Sequence, residues 1–388
     1  MDFSMLDDVR LADRPSVPST ATRRDSDGSG WLASAAPLAA LALVGLKHAH
    51  LIDAETAPVA LAAAPLLIGS VFAAVHYAEV VARKVGEPFG SILLALAVTA
   101  IETSLIIASM VSGGAGQNSL ARDTVFSVVL IVLNGVVGLC VVIGCVRYRE
   151  QTFRVEGVGS ALSVLATLAV LTLVLPNFTV AKLGPQYSPT QLAFIGALSL
   201  ILYLVFVFVQ SVRHRDHFLP EPENGLCGRP EKPAPPSGAA TAMSAVLMLA
   251  SLAAVVLLAK TLWAPLERAI DTAGLPSSFL GVVIATLTLL PESITAFKAA
   301  YANRLQTSAN LALGSAVASI GLTIPIVGAV SLYLSRELTL GLDSEGMVLL
   351  LLTLFVSTPT LATGRATILQ GAVHLVIFGV FLLLAAVP

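Results

Sequence analysis

The sequence predicts an all-α polytopic membrane protein of about 11 transmembrane helices. They are arranged as an inverted-topology repeat of five helices (spans 2–6 and 7–11) plus an extra N-terminal helix. Three observations lead there. Of 388 residues, 56% are hydrophobic and only 12% are charged, half the charged share of about 25% in a soluble domain and too little to cover a water-facing surface. The apolar residues lie in unbroken runs such as 128-VVLIVLNGVVGLCVVIG-144, whereas a spanning strand would alternate apolar and polar positions. Lys and Arg, finally, concentrate on alternate loops.

A spanning helix needs about 20 mostly apolar residues. By that rule the spans are 31–46, 57–82, 88–112, 123–146, 158–180, 190–212, 241–263, 277–300, 308–334, 346–361 and 366–387. The first 30 residues hold four Arg and six Asp and lack the apolar core of a signal peptide, so 1–30 reads as a disordered cytoplasmic tail. Residues 31–212 form a first transmembrane half, the extra helix plus repeat 1. Residues 213–240 contain 229-RPEKPAPPSG-238, and their Pro, Gly and charge content marks a cytoplasmic linker. Residues 241–388 form the second half, repeat 2.

Lys and Arg favour cytoplasmic loops. With the N-terminus inside, only Lys47, Arg122, Lys182, Lys260, Arg268 and Arg336 of the 22 basic residues fall outside, and the C-terminus lies outside too. The net charge of −2 leaves no basic excess for nucleic acid. Cys140, Cys145 and Cys227 give no paired disulfide framework.

Two segments resemble each other. The first is 88-PFGSILLALAVTAIETSLIIASM-110 followed by 122-RDTVFSVVLIVLNGVVGL-139, and the second is 277-SSFLGVVIATLTLLPESITAFKAA-300 followed by 307-TSANLALGSAVASIGLTIPIVG-328. Each has a Thr- and Ser-rich apolar helix with one central glutamate, Glu102 or Glu292, then a helix with small and polar residues at its centre. They occupy spans 3–4 and 8–9. A shift of five spans inverts the second copy, the architecture of many secondary transporters whose ion sites lie near midplane between the repeats.

A carboxylate at midplane needs a proton, a cation or a partner, so Glu102 and Glu292 are the candidate cation and proton ligands. Thr99, Thr103, Ser104, Thr286, Thr288 and Ser293 flank them, with capping onto the helix backbone as the alternative role for these hydroxyls. Pro291 frees a backbone carbonyl in the preceding turn. Asn134, Ser315 and Ser319 add neutral oxygens on the following helices, while Asn310 lies close to the cytoplasmic end of its span. Gly135, Gly138, Gly314 and Ala316 permit close helix approach. His76 and Glu79, three apart on one face of span 2, and Glu87 at the start of span 3 are candidates for an acidic cytoplasmic entrance. His374, in the last span, shows no partner in the sequence and reads as structural. HExxH, Walker A and GxGxxG motifs are missing. No enzymatic activity, catalytic residue or bound cofactor is therefore expected.

The stretches 85-VGEPFGSILLALAVTAIET-103, 121-ARDTVFSVVLIVLNGVVGL-139, 147-RYREQTF-153 and 289-LLPESITAFKAAYANRLQTSANLALGSAVASIGLTIP-325 resemble the bacterial ChaA-type calcium/proton antiporters of the calcium/cation antiporter superfamily. The resemblance covers nearly all of 60–388. It implies export of Ca2+, and of Na+ or K+, in exchange for protons across a bacterial inner membrane, with the acid of each repeat mapping onto Glu102 and Glu292. The superfamily's GSN-type signature begins at Gly314 and Ser315, with Ala316 in place of the Asn. The expected partners are inorganic cations, protons and membrane lipid. Two carboxylates held close titrate as a pair, so transport should depend steeply on pH. The competing expectation is a Na+ or K+/proton antiporter with calcium as a minor substrate. An intramembrane hydrolase would need a metal cluster or a partnered nucleophile. A channel would conduct without proton coupling.

Overall fold

A computed structural model describes residues 28–49, 57–86, 89–112, 118–218 and 236–388. The expected tail (apart from its last three residues), Glu87, Cys227 and most of the linker lie outside the described residues. Within the described residues eleven long helices succeed one another: α1 Gly28–His48, α2 Ala57–Val85, α3 Phe89–Ser112, α4 Leu120–Tyr148, α5 Val155–Phe178, α6 Pro189–Arg213, α7 Gly238–Thr272, α8 Phe279–Tyr301, α9 Leu305–Tyr333, α10 Ser344–Ala362 and α11 Ile368–Ala386.

Among the described residues, α2 to α11 are long and apolar enough to cross a membrane. Helix α1 is present where the first span is expected, but its described apolar part, Ser34–His48, is shorter than a crossing requires. It packs on α2 and α7. Residues just outside the apolar runs set the helix starts. Ser188 and Gln191 form a capping box with Pro189 at the first helical position of α6, satisfying amide groups that the helix itself cannot. Asp343 accepts from Gly346 N at 2.7 Å to start α10, and Thr367 with Gln370 caps α11.

The repeat is visible in the helix register. Phe89 and Phe279 open α3 and α8 and are 190 residues apart, as are Glu102 and Glu292. Helices α4 and α9 each contain 29 residues. The packing is reciprocal: α3 lies on α9 and α8 on α4, α6 on α9 and α11 on α4, while α2 and α7 lie on each other.

The loops form two sets, one at each end of the bundle. At one end Gln151–Thr152 pairs antiparallel with Arg365–Ala366, Gln151 Nε2 donates to Ala300 O at 3.0 Å, and Arg154 N donates to Gln306 Oε1 at 2.6 Å. At the other end Thr339 N donates to Asn118 O and Leu342 N to Leu173 O, both at 2.9 Å, and Arg122 reaches Gly341 O. Helix α4 starts at the Arg122 end and α9 at the strand-paired end, so the second copy runs inverted.

Candidate ion site

Glu102 and Glu292 are each the fourteenth residue of their helix, roughly 20 Å along it at 1.5 Å per residue. The two repeats bring them to one cavity of about 500 Å³. Thr99 on α3, Thr288 on α8, and Ser315 and Ser319 on α9 line the same cavity. Six of the seven expected cation and proton ligands therefore meet in one place.

The two acids are treated differently. Glu102 is 2% exposed, and the Ser319 hydroxyl donates to its carboxylate from 2.7 Å to Oε1 and 2.8 Å to Oε2. The contact joins α3 of the first repeat to α9 of the second. Glu292 has a buried Oε2 with no hydrogen-bond partner. Pro291, just before it, lacks the N–H that would bond the carbonyl four residues back, so the Leu287 carbonyl is freed one turn from the acid. Glu79, on α2, is within electrostatic reach of Glu292.

Several flanking hydroxyls are occupied by the backbone. Thr103 donates to Thr99 O at 2.6 Å, and Thr288 to Ile284 O and Ala285 O at 3.1 Å. Ser104 bonds Ala100 O. Thr286 is exposed and, with Thr103, Ser104 and Ser293, lies outside the cavity lining. Asn310 lines the cavity, and its amide donates to Phe218 O in the single helical turn Arg215–Phe218. Its work is to hold that turn at the cavity mouth. Gly314 lines the cavity with nothing within 4 Å of where a Cβ would stand. Gly138, by contrast, would place its Cβ 2.9 Å from that of His374, so there the glycine serves packing.

Asn134 is not brought to the cavity. It sits on a π-helical turn, Ile131–Val136, on the α11 side of α4. Its Nδ2 donates to Thr353 Oγ1 at 2.8 Å and its Oδ1 meets His374 Nδ1 at 2.9 Å. His374 Nε2 is 3.2 Å from Thr360 Oγ1. His374, expected without a partner, thus has two. Asn134 and Ser319 are both the fifteenth residue of their 29-residue helices, so the position that serves Glu102 in one repeat is withdrawn from Glu292 in the other.

His76 is half-buried and Glu79 exposed on α2, and neither lines the cavity. Residues not anticipated from the sequence do line it: Tyr203, Phe206, Val207 and Gln210 on α6. Their i, i+3, i+4, i+7 spacing is one helical face and was the available signal. All the α3 lining residues lie between Ser91 and Glu102, and the α9 lining residues between Thr307 and Ser319, so the cavity occupies the half of the bundle nearer the strand-paired end. The other half is shut. A Cβ on Gly281 would come within 2.6 Å of the Asp123 backbone, and Ile106, Val125 and Ala285 fill the space with no exposed surface.

The sodium/calcium exchanger protein profile matches residues 57–212 and 243–387. The chain belongs to the sodium/calcium exchanger family. It is a multi-pass membrane protein and a cation exchanger. The y4hA protein of Sinorhizobium fredii, which carries the name of a candidate ionic transporter, is 51% identical over 91% of this chain and 95% of its own length. The sodium-potassium/proton antiporter ChaA of Escherichia coli is 32% identical over 85% of this chain and 90% of its own. Among solved structures, native YfkE superposes with a TM-score of 0.69 at 15% identity, covering 92% of this chain and all of that one. The H+/Ca2+ exchanger CAX gives 0.63 at 17% identity, covering 90% and 88%. At such identities the likeness is one of fold.

Proposed function

We propose that this exchanger moves cytoplasmic Ca2+ outward against external protons by alternating access, with Glu102 and Glu292 as the shared site. The observation that carries this reading is the meeting of one acid from each inverted repeat in a single cavity, one of them with a buried oxygen left unpartnered. Buried carboxylates are tolerated in a membrane only when neutralised. Two protons or one Ca2+ neutralise the pair equally, and the same oxygens cannot hold both. Loading is thereby exclusive, and an empty, doubly charged site is too costly to carry across the closed half. This gives exchange rather than leak.

Calcium takes 6–8 oxygens. The two carboxylates, Ser315, Ser319, Thr99 and Thr288 are the donors lining the cavity. Placing the Lys- and Arg-rich loops inside makes the strand-paired end cytoplasmic, puts the C-terminus outside, and opens the cavity inward. In this orientation Glu79, with His76 beside it, approaches Glu292 from the cytoplasmic half, the placement of an entrance that concentrates cations; Glu87 is assigned to it from sequence alone.

The name of the E. coli relative, a sodium-potassium/proton antiporter, favours a second reading in which Na+ or K+ is the main substrate and two such ions, or one with a proton, neutralise the pair. Dequenching of a pH probe in everted vesicles on separate addition of Ca2+, Na+ and K+ distinguishes the two. The first reading expects the largest response to Ca2+. A response to Na+ or K+ with none to Ca2+ rejects it.

A further inference from the structure

A second cavity, of about 710 Å³, lies away from the acids among α2, α3, α7 and α8. Its volume is within the roughly 300–1,000 Å³ of ligand sites. Its walls are aliphatic, apart from Trp263 and Arg268 on α7. Trp263 Nε1 is buried with no hydrogen-bond partner. A buried indole N–H ordinarily finds an acceptor, and within a bilayer no bulk water supplies one. Arg268, five residues on, is exposed, and its Nε donates to Ala264 O at 3.3 Å, which holds the guanidinium at the cavity edge. Lys260 is exposed on the same helix, and Lys47 of α1 donates to Thr261 at 3.3 Å. Glu267 and Asp271 share this end of α7, so the patch is mixed, with the cation at the cavity.

These groups are layered by depth. Arg268, four residues from the end of α7, lies nearest the Arg122 end, while Lys260 and the Lys47–Thr261 pair lie about two turns deeper. The indole N–H sits about a turn and a half deeper than Arg268. The aliphatic wall runs inward to Leu105 and Leu287. We propose that this cavity holds one anionic glycerophospholipid, with its phosphate at Arg268, its glycerol region against the Trp263 ring, and its acyl chains along α2 and α8. Leu105 is three residues from Glu102 and Leu287 five from Glu292, so the chain ends press on the backs of the turns that carry both acids.

The chain has two tryptophans, so Trp31→Phe leaves Trp263 as the sole indole. The full chain would be reconstituted in phosphatidylcholine bilayers doped with tail-brominated phosphatidylglycerol or, separately, tail-brominated phosphatidylcholine, and indole quenching recorded against mole fraction. A basic residue at an anionic surface is worth about a fivefold enrichment. Half-quenching by the phosphatidylglycerol is therefore expected at about a fivefold lower mole fraction, and Arg268→Gln should abolish that advantage. Ala64→Phe, at an exposed lining position, should reduce quenching by both lipids and serves if Arg268→Gln fails to assemble. Equal midpoints for the two lipids, or quenching unchanged by Ala64→Phe, would overturn the proposal and leave ordinary boundary lipid.

Discussion

The surroundings of Glu102 and Glu292 differ more than their backbones do. The helices that carry them start 190 residues apart and place each acid fourteenth, yet Ser319 clasps Glu102 across the repeat interface, while the matching Asn134 turns to His374 and Thr353. Glu292 keeps a buried oxygen without a partner, next to a carbonyl that Pro291 has freed. In the proposed cycle, symmetry of the chain path is what would let the bundle open to either side in turn. Asymmetry of the polar groups decides which acid is fixed and which stays open to a proton or a cation. In the proposed cycle Glu102 is the anchored ligand and Glu292 the one whose occupancy changes most.

The largest effect should come from the open acid. Removing one partner of a buried ionic assembly costs roughly 3–5 kcal/mol, so Glu292→Gln should lower cation-driven proton flux in vesicles by about 100-fold or more. Retained flux would remove Glu292 from the site. Ser319→Ala should be milder, because a hydrogen bond to a charged group is worth about 1.5–3 kcal/mol. An approximately tenfold rise in the half-saturating cation concentration is expected, with the maximal rate less affected. Asn134→Ala sharpens the contrast: it strands a buried His374 ring nitrogen, for which about 1–3 kcal/mol of stability is lost, and thermal unfolding should move down while half-saturation stays put. If Asn134→Ala instead weakened cation affinity as Ser319→Ala does, the asymmetry would be wrong. Gly314→Ala should be the gentlest. With nothing within 4 Å of the new Cβ, stability should hold or rise slightly, by up to about 1 kcal/mol of helix propensity, and any effect should appear in cation access.

Much of this was legible in the sequence for one physical reason: charges are rare in a membrane protein, so each one that lies deep in an apolar run carries information. Glu102 and Glu292 stood out on that ground, and with them the repeat, the two central helices and the oxygen-bearing neighbours Ser315 and Ser319. The wall from α6 did not, because Tyr203 and Gln210 are individually ordinary and only their common face marks them. Asn134 was assigned to the site as a neutral oxygen at the centre of the helix that follows the acid. The π-helical turn at Ile131–Val136 hid its true direction. One extra residue in a turn rotates the rest of the helix by about 100° relative to an uninterrupted α-helix, and hydropathy does not register it. His374 was obscure for the same reason, since its partners come from two other helices more than 10 and more than 200 residues away. Helix α1 runs Gly28–His48, longer than the expected 31–46, although its apolar part, Ser34–His48, is shorter than a crossing requires.

The central claim is that proton and cation compete for the same carboxylates. Hydrophobic carbodiimides modify protonated carboxyl groups within membranes, and peptide mass spectrometry locates the adduct. In membranes containing the full chain, labelling is expected at Glu292, falling as pH rises and slowed by the transported cation in proportion to its occupancy. Labelling of Glu292 that proceeds at the same rate with and without saturating cation would contradict a shared site.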